Sequence, residues 1–159
     1  MNINVICIGK LKEKYWRDAI AEYSKRLSGY CSFKIIELKE SKLPANASLA
    51  DELKVMETEG RSILGKIGDS DYAVALEVEG KLLDSPELAK KMQGTFASGK
   101  STIDFIIGGS LGLSDEVKKR ADFGLSFSRM TFPHQMMRVV LLEQIYRGFK
   151  IINNEAYHK

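Results

Sequence analysis

Apolar and polar positions along the chain follow two rhythms, and the switches between them predict five strand–helix alternations. Residues 3–8 form a β-rich run that stops at Gly9. Tyr15, Ala19, Tyr23 and Leu27, with Trp16 and Ile20 beside them, then recur at helical spacing. A second strand is expected over 31–38. Ser48 suits the cap of a helix whose apolar face is Leu49, Leu53, Met56, Ile63, Leu64 and Ile67. The third strand is expected over 72–78, and Ser85-Pro86-Glu87 reads as a cap, a first-turn proline and a first-turn acid. Residues 102–107 form the fourth strand, Ser114 opens a short helix to about Ala121, and 123–128 form the fifth strand. Pro133 opens a last helix expected to end at Gly148.

This alternation, joined by short links, predicts one α/β domain spanning residues 1–159, with a parallel-rich sheet covered on both faces. The last helix is apolar nearly all round, through Met136, Met137, Val139, Val140, Leu141, Leu142, Ile145 and Phe149. In so small a domain a second copy of the chain is the expected cover, with a central core helix as the alternative.

Composition narrows the class without naming a function. The 159 residues are 44% hydrophobic and 28% charged, a globular balance, with a formal net charge of +3. That charge permits an anionic partner and is low for a dedicated nucleic-acid module. No run approaches the ~18 apolar residues of a membrane span. The first residues lack a basic region followed by an apolar one, so no secretory signal is expected and the cytoplasm is the expected location. Cys7 and Cys31, placed in different expected strands, read as buried hydrophobes in a reducing compartment.

Candidate chemistry gathers at the expected strand ends. Gly108-Gly109-Ser110-Leu111-Gly112 matches the G-x-S-x-G of a hydrolase elbow, and Asp122 with His134 or His158 would complete the order of a triad. Against this, the following helix is best capped by Ser114, too far on for a tight elbow, and Asp122 lies before its strand. The alternative reading is a ligand loop, glycines at a strand end letting backbone approach a bound molecule. A second such loop runs from Phe127 to His134. Neither a dinucleotide fingerprint nor a P-loop occurs, and two histidines with two scattered cysteines make a zinc site improbable. The tail after Gly148 begins apolar and is expected to dock, bringing His158 near a site.

Ile107-Gly108-Gly109, the run from Ser128 to Gln135, Arg138, the run from Leu142 to Arg147, and the terminal Tyr157-His158 together resemble the ribosomal RNA large subunit methyltransferase H family. The resemblance covers the whole chain; Ala156 and Lys159 depart from it, standing where proline and arginine are common. It implies a SPOUT-type fold with a C-terminal trefoil knot, one of the rare exceptions to unknotted connection. It also implies a homodimer that uses S-adenosylmethionine as methyl donor and no metal. The donor would contact Leu76, Gly108 and Phe127, Ser128, Arg129, Met130, Thr131 and Phe132. The acceptor would be N3 of a pseudouridine in 23S rRNA of the assembled ribosome. His158 would act as base or orienting group, Tyr157 would stack on or bond the acceptor base, Arg147 and Lys159 would hold phosphates, and Glu143 would orient Arg147. A non-catalytic ribosome-binding factor of the same fold is the competing class, and a serine hydrolase using Ser110 a distant one.

Overall fold

The computed structural model describes residues 1–158. Its five strands are β1 (Asn2–Ile8), β2 (Ser32–Leu38), β3 (Tyr72–Leu82), β4 (Thr102–Ile107) and β5 (Phe123–Ser126). The helices are α1 (Lys14–Leu27), α2 (Leu49–Leu64), α3 (Ser85–Ala97), α4 (Asp115–Arg120) and α5 (His134–Ile152). The strands pair in the order β2-β1-β4-β3-β5, every pair parallel. Five alternations thus give one wholly parallel sheet.

Successive side chains along each strand feed two cores. Ile3, Val5, Cys7, Val74, Phe105, Ile107 and Leu125 pack under α1, α3 and α5. Ile6, Ile8, Ala73, Ala75 and Ile106 face the opposite way and pack with Ile63 of α2 and Val117 of α4. Burial on both faces explains why these strands read as continuous apolar runs.

Several expected boundaries shift for identifiable reasons. The cap of α3 is Asp84, not Ser85: its carboxylate accepts from Glu87 N, and the Glu87 carboxylate accepts from Asp84 N. Ser85 instead donates its hydroxyl to Gln144 Oε1 of α5 at 2.6 Å. Gly148 does not end α5, which runs on to Ile152; a Cβ there would meet Met92 Sδ at 3.1 Å, so this glycine lets α3 and α5 approach closely. Leu49 and Leu53 are 79% and 56% exposed, so only the later turns of α2 reach the sheet. Tyr15 is 63% exposed, and α1 buries Ile20 and Leu27 instead. Cys31 precedes β2 and is half-buried; both cysteines are free. Nor is α5 apolar all round: it buries Arg138 completely, while Met136, Val140, Glu143 and Arg147 lie along a half-buried face.

Inside β4, Asp104 is fully buried, a polar residue that the apolar run concealed. Asn4 Nδ2 donates to its Oδ1 at 2.8 Å, while Oδ2 has no partner. Burial, opposed by the Asn4 bond and reinforced by nearby Asp71, pushes this carboxyl up to about 6. The folded form therefore prefers the proton more than the unfolded chain does. This contribution is fully present below about pH 4 and is lost as pH rises through about 6. Asp104→Asn keeps the acceptor for Asn4 without an ionisable group. Above pH 7 it should be more stable than the parent by about 1–3 kcal/mol, with the advantage vanishing near pH 4. Thermal unfolding across pH measures this; equal pH dependence in both proteins would refute it.

Candidate active site

Because all strands run the same way, the irregular middle of β3 and the loops after β4 and β5 meet at one edge of the sheet, where open parallel sheets bind ligands. They surround a cavity of about 530 Å³. One wall is Gly108-Gly109-Ser110 with Gly112 and Leu113, after β4. A Cβ on Gly108 would stand 2.8 Å from the backbone of Gly112, so only glycine allows the turn to fold back this tightly. Gly112 itself has φ +85°, the left-handed region, and donates its N–H to Gly109 O at 3.1 Å.

The second wall comes from β3. Its pairing with β5 is regular from Val74 to Leu76 and resumes at Lys81 after a register break. The intervening Glu77, Val78 and Glu79 bulge along the cavity. Ser126 donates its hydroxyl to Val78 O at 2.9 Å, and the Arg129 guanidinium donates to the same carbonyl. These bonds tie the bulge to the third wall, the 127–133 loop that leads into α5. There the Ser128 hydroxyl accepts from Met130 N at 3.0 Å, stabilising the turn.

Seven of the eight expected donor contacts line this cavity: Leu76, Gly108, Phe127, Ser128, Met130, Thr131 and Phe132. Arg129 does not; it braces the wall from outside through Val78. Three charged cavity residues, Glu77, Glu79 and Lys118, were not expected there; Lys118 Nζ lies 3.7 Å from Glu77 Oε2. The only signal for the first two is the Glu77-Val78-Glu79-Gly80 run, which breaks the apolar rhythm of β3. His134, the last residue of the expected Phe127–His134 ligand loop and also weighed as a hydrolase base, opens α5 at the cavity wall. Burial lowers its pKa, as does Arg138 one turn on, with Glu40 opposing, so its imidazole is neutral at pH 7.

The start of α5 is fixed by Arg138. Its guanidinium donates to Ile8 O at 2.6 Å, Gly9 O at 3.0 Å and Glu37 Oε1 at 3.0 Å, joining the helix to the ends of β1 and β2. Met137, one residue earlier, lines the cavity.

The tail residues form a separate cluster. Glu143 Oε1 accepts from Arg147 Nη2 at 2.7 Å, from Arg147 Nε at 3.0 Å and from the Tyr157 hydroxyl at 3.2 Å. The Arg147 guanidinium carbon lies 4.6 Å from the Tyr157 ring centre, and Tyr146 meets that ring edge-on at 5.0 Å. The expected Glu143–Arg147 pairing is thus present. Burial raises the Tyr157 hydroxyl pKa, and the Glu143 charge adds to this. The tail is docked through Glu155, which accepts from Tyr30 at 2.8 Å and pairs with Lys150. His158 is exposed, and Lys159 lies outside the described residues. None of Arg147, Tyr157 and His158 lines the cavity of its own chain. Arg147 is ten residues beyond Met137, roughly 15 Å along the helix.

The hydrolase arrangement is not assembled. Asp122 Oδ2 accepts from Ala73 N at 2.8 Å and from Arg120 at 3.3 Å, at the opposite edge of the sheet from Ser110.

Comparison with known proteins first gives the class: residues 1–158 match the family model described as "Predicted SPOUT methyltransferase". A solved structure of a probable methylase family protein from Haemophilus influenzae Rd KW20 shares the fold, with a TM-score of 0.53 at 13% identity. It is covered over 70% of its length by 99% of this chain. Ribosomal RNA large subunit methyltransferase H 1 of Clostridium perfringens (strain SM101) is 55% identical over 159 residues, all of both chains. Ribosomal RNA large subunit methyltransferase H of Clostridioides difficile (strain 630) is 56% identical over the same full span. The chain belongs to the ribosomal RNA large subunit methyltransferase H family.

Arg138 supplies the test of this geometry. Arg138→Ala would leave the Ile8 and Gly9 carbonyls without their donor and remove the cation beside Glu37. The Glu37 carboxylate stays solvated and keeps its bond from Leu11 N, and the cost in denaturant unfolding should be about 1–3 kcal/mol. A loss below about 1 kcal/mol would show that α5 is held by its apolar contacts alone.

Proposed function

We propose that the chain transfers the methyl group of S-adenosylmethionine to N3 of a pseudouridine in 23S rRNA of the assembled ribosome. It works in the cytoplasm as a homodimer whose C-terminal segment is knotted. The observation that carries this is the convergence of seven resemblance-assigned residues, from three separate segments, on one cavity. Its volume of about 530 Å³ suits the ~300–1,000 Å³ typical of small-molecule sites. Its walls suit the donor: Leu76, Leu125 and Phe132 offer apolar surface, and the Glu79 carboxylate complements a cationic sulfonium, while Glu77 is paired with Lys118 at 3.7 Å. Among the described residues no His, Cys, Asp and Glu cluster suited to a metal occurs, and this chemistry needs none.

The donor supplies an electrophilic methyl carbon. N3 attacks it in line, the carbon–sulfur bond breaks onto sulfur, and the imide proton of N3 must leave. Aligning the two substrates is then the principal work of the protein. His158 accepts or orients the imide proton, Tyr157 contacts the base, and Arg147, held by Glu143, meets a phosphate.

The tail cluster and the cavity lie at different distances along α5, and a second copy reconciles them. We place the tail of one protomer beside the cavity of its partner. Met130, Phe132 and Val78 are 72%, 41% and 43% exposed, an apolar rim at the cavity, and α5 carries a half-buried face through Met136 and Val140. Sedimentation at micromolar concentration should give twice 17.8 kDa; a clean monomer would refute the dimer.

Calorimetric titration with S-adenosylmethionine, paired with methyl transfer to ribosomes, tests the assignments. Gly108→Ala should weaken donor binding sharply in a folded protein, because even a methyl group displaces the Gly112 turn. Removing residues 157–159 should leave donor affinity intact while transfer falls by ~10²–10⁴, the usual worth of general acid–base help. Unchanged binding in the first variant removes Gly108 from the donor site. Full activity in the second removes the tail from the mechanism.

A further inference from the structure

Two lysine-bearing segments stand beside the cavity and take no part in the site described above. One is the β1–α1 connection with the first residue of α1, carrying Lys10, Lys12 and Lys14; the other is the β2–α2 connection, carrying Lys39 and Lys42. The only acids in these segments are Glu13 and Glu40. Their surplus of three positive charges equals the formal net charge of the whole chain, +3, so the remaining surface is balanced. All five lysines are exposed, and only Lys14 has an ion pair among the described residues, with Asp18.

The segments are neighbours because β1 and β2 pair in register through Ile8 and Leu38, which puts both exits at one end of the sheet. They also adjoin the cavity. Gly109, in its wall, would bring a Cβ to 3.2 Å from Ile8 Cγ2 and 2.9 Å from Glu59 Oε2. Buried Glu59 in turn accepts from Ser41 N at 2.9 Å, pinning the second segment. Arg138 holds Gly9 O, pinning the first. Each segment is thus one contact layer from Gly109, and its backbone is fixed while its lysine heads are free. Next to Lys14, the 63% exposed ring of Tyr15 meets Trp16 edge-on at 5.0 Å, an aromatic pair beside the cations.

We propose that Lys10, Lys12, Lys39 and Lys42 form a phosphate-binding ridge that holds the ribosomal RNA backbone flanking the target nucleotide. The proposal rests on the methyltransferase reading above. Unpaired ammonium groups beside a strand-end cavity complement a polyanion, with little use for a small neutral ligand. The ridge positions the RNA through its backbone and carries no base preference. It also gives a chain of low net charge a local anchor for RNA.

The experiment compares the parent with Lys10→Gln/Lys12→Gln/Lys39→Gln/Lys42→Gln, using ribosomes and S-adenosylmethionine at several salt concentrations. The lysines are exposed, so the variant should fold and keep its donor affinity. KM for ribosomes should rise about tenfold or more at 0.1 M salt, with kcat within about twofold. The dependence of log(kcat/KM) on log[salt] should be flatter by about 3–4, near 0.9 per phosphate lost. An unchanged KM and slope would overturn the ridge and leave the methyltransferase reading standing. So would a raised KM with the parental slope, which would mark a face for ribosomal protein. Failure of the parent itself to methylate ribosomes would sink the reading first, and the ridge with it.

Discussion

A guanidinium with no exposure to water holds this molecule's working edge together. Arg138 sits in the second turn of α5 and donates to two carbonyls at the end of β1 and to a carboxylate of β2. A charge so deeply buried is tolerable because both terminal nitrogens meet acceptors, although its Nε has no partner. The bonds fix where α5 starts, and so fix Met137 and His134 at the cavity and the 127–133 loop before them. That loop is pulled against the bulge of β3 from the other side by Ser126 and Arg129, both donating to Val78 O. Cavity shape therefore follows from polar anchors at sheet ends, while the apolar cores beneath supply bulk stability.

The same helix carries two kinds of site residue at two heights. Near its start lie cavity residues; about three turns on lies the Glu143–Arg147–Tyr157 cluster. One copy of the chain cannot bring the second group to the first without unfolding the tail, which Glu155 docks to Tyr30 and Lys150. In the proposed dimer the spacing becomes useful, because two-fold symmetry sets the tail of one protomer beside the cavity of the other. The exposed apolar rim of Met130, Phe132 and Val78 then serves both as interface and as part of the wall around the donor.

The sheet and its helices were legible because strands buried on both faces leave unmistakable apolar runs and caps such as Ser48 and Ser114 are local chemistry. Most of the cavity was legible too, since glycine-rich strand ends and the Phe127–His134 loop carry a strong local pattern. What stayed hidden depends on contacts distant in sequence. Gly148 looks like a helix end until Met92 is seen against it, 56 residues away along the chain. Arg138 lies in a helix that reads as apolar throughout, and nothing local reveals that its partners are strand-end carbonyls. Asp104 hides inside an apolar strand for the same reason. The knot proposed for the C-terminal segment would be a property of threading, on which periodicity is silent.

The claim most in need of a direct test is that each working site takes its cavity from one chain and its tail from the other. Two inactive proteins decide it: one carrying Gly108→Arg, the other lacking residues 157–159, mixed under conditions that exchange subunits. A mixed dimer pairs an intact cavity with the partner's intact tail once, so methyl transfer to ribosomes should return to about a quarter of the parental level. If the mixture stays as inactive as its components while subunit exchange is demonstrated, each chain uses its own tail, and the two-chain site is wrong.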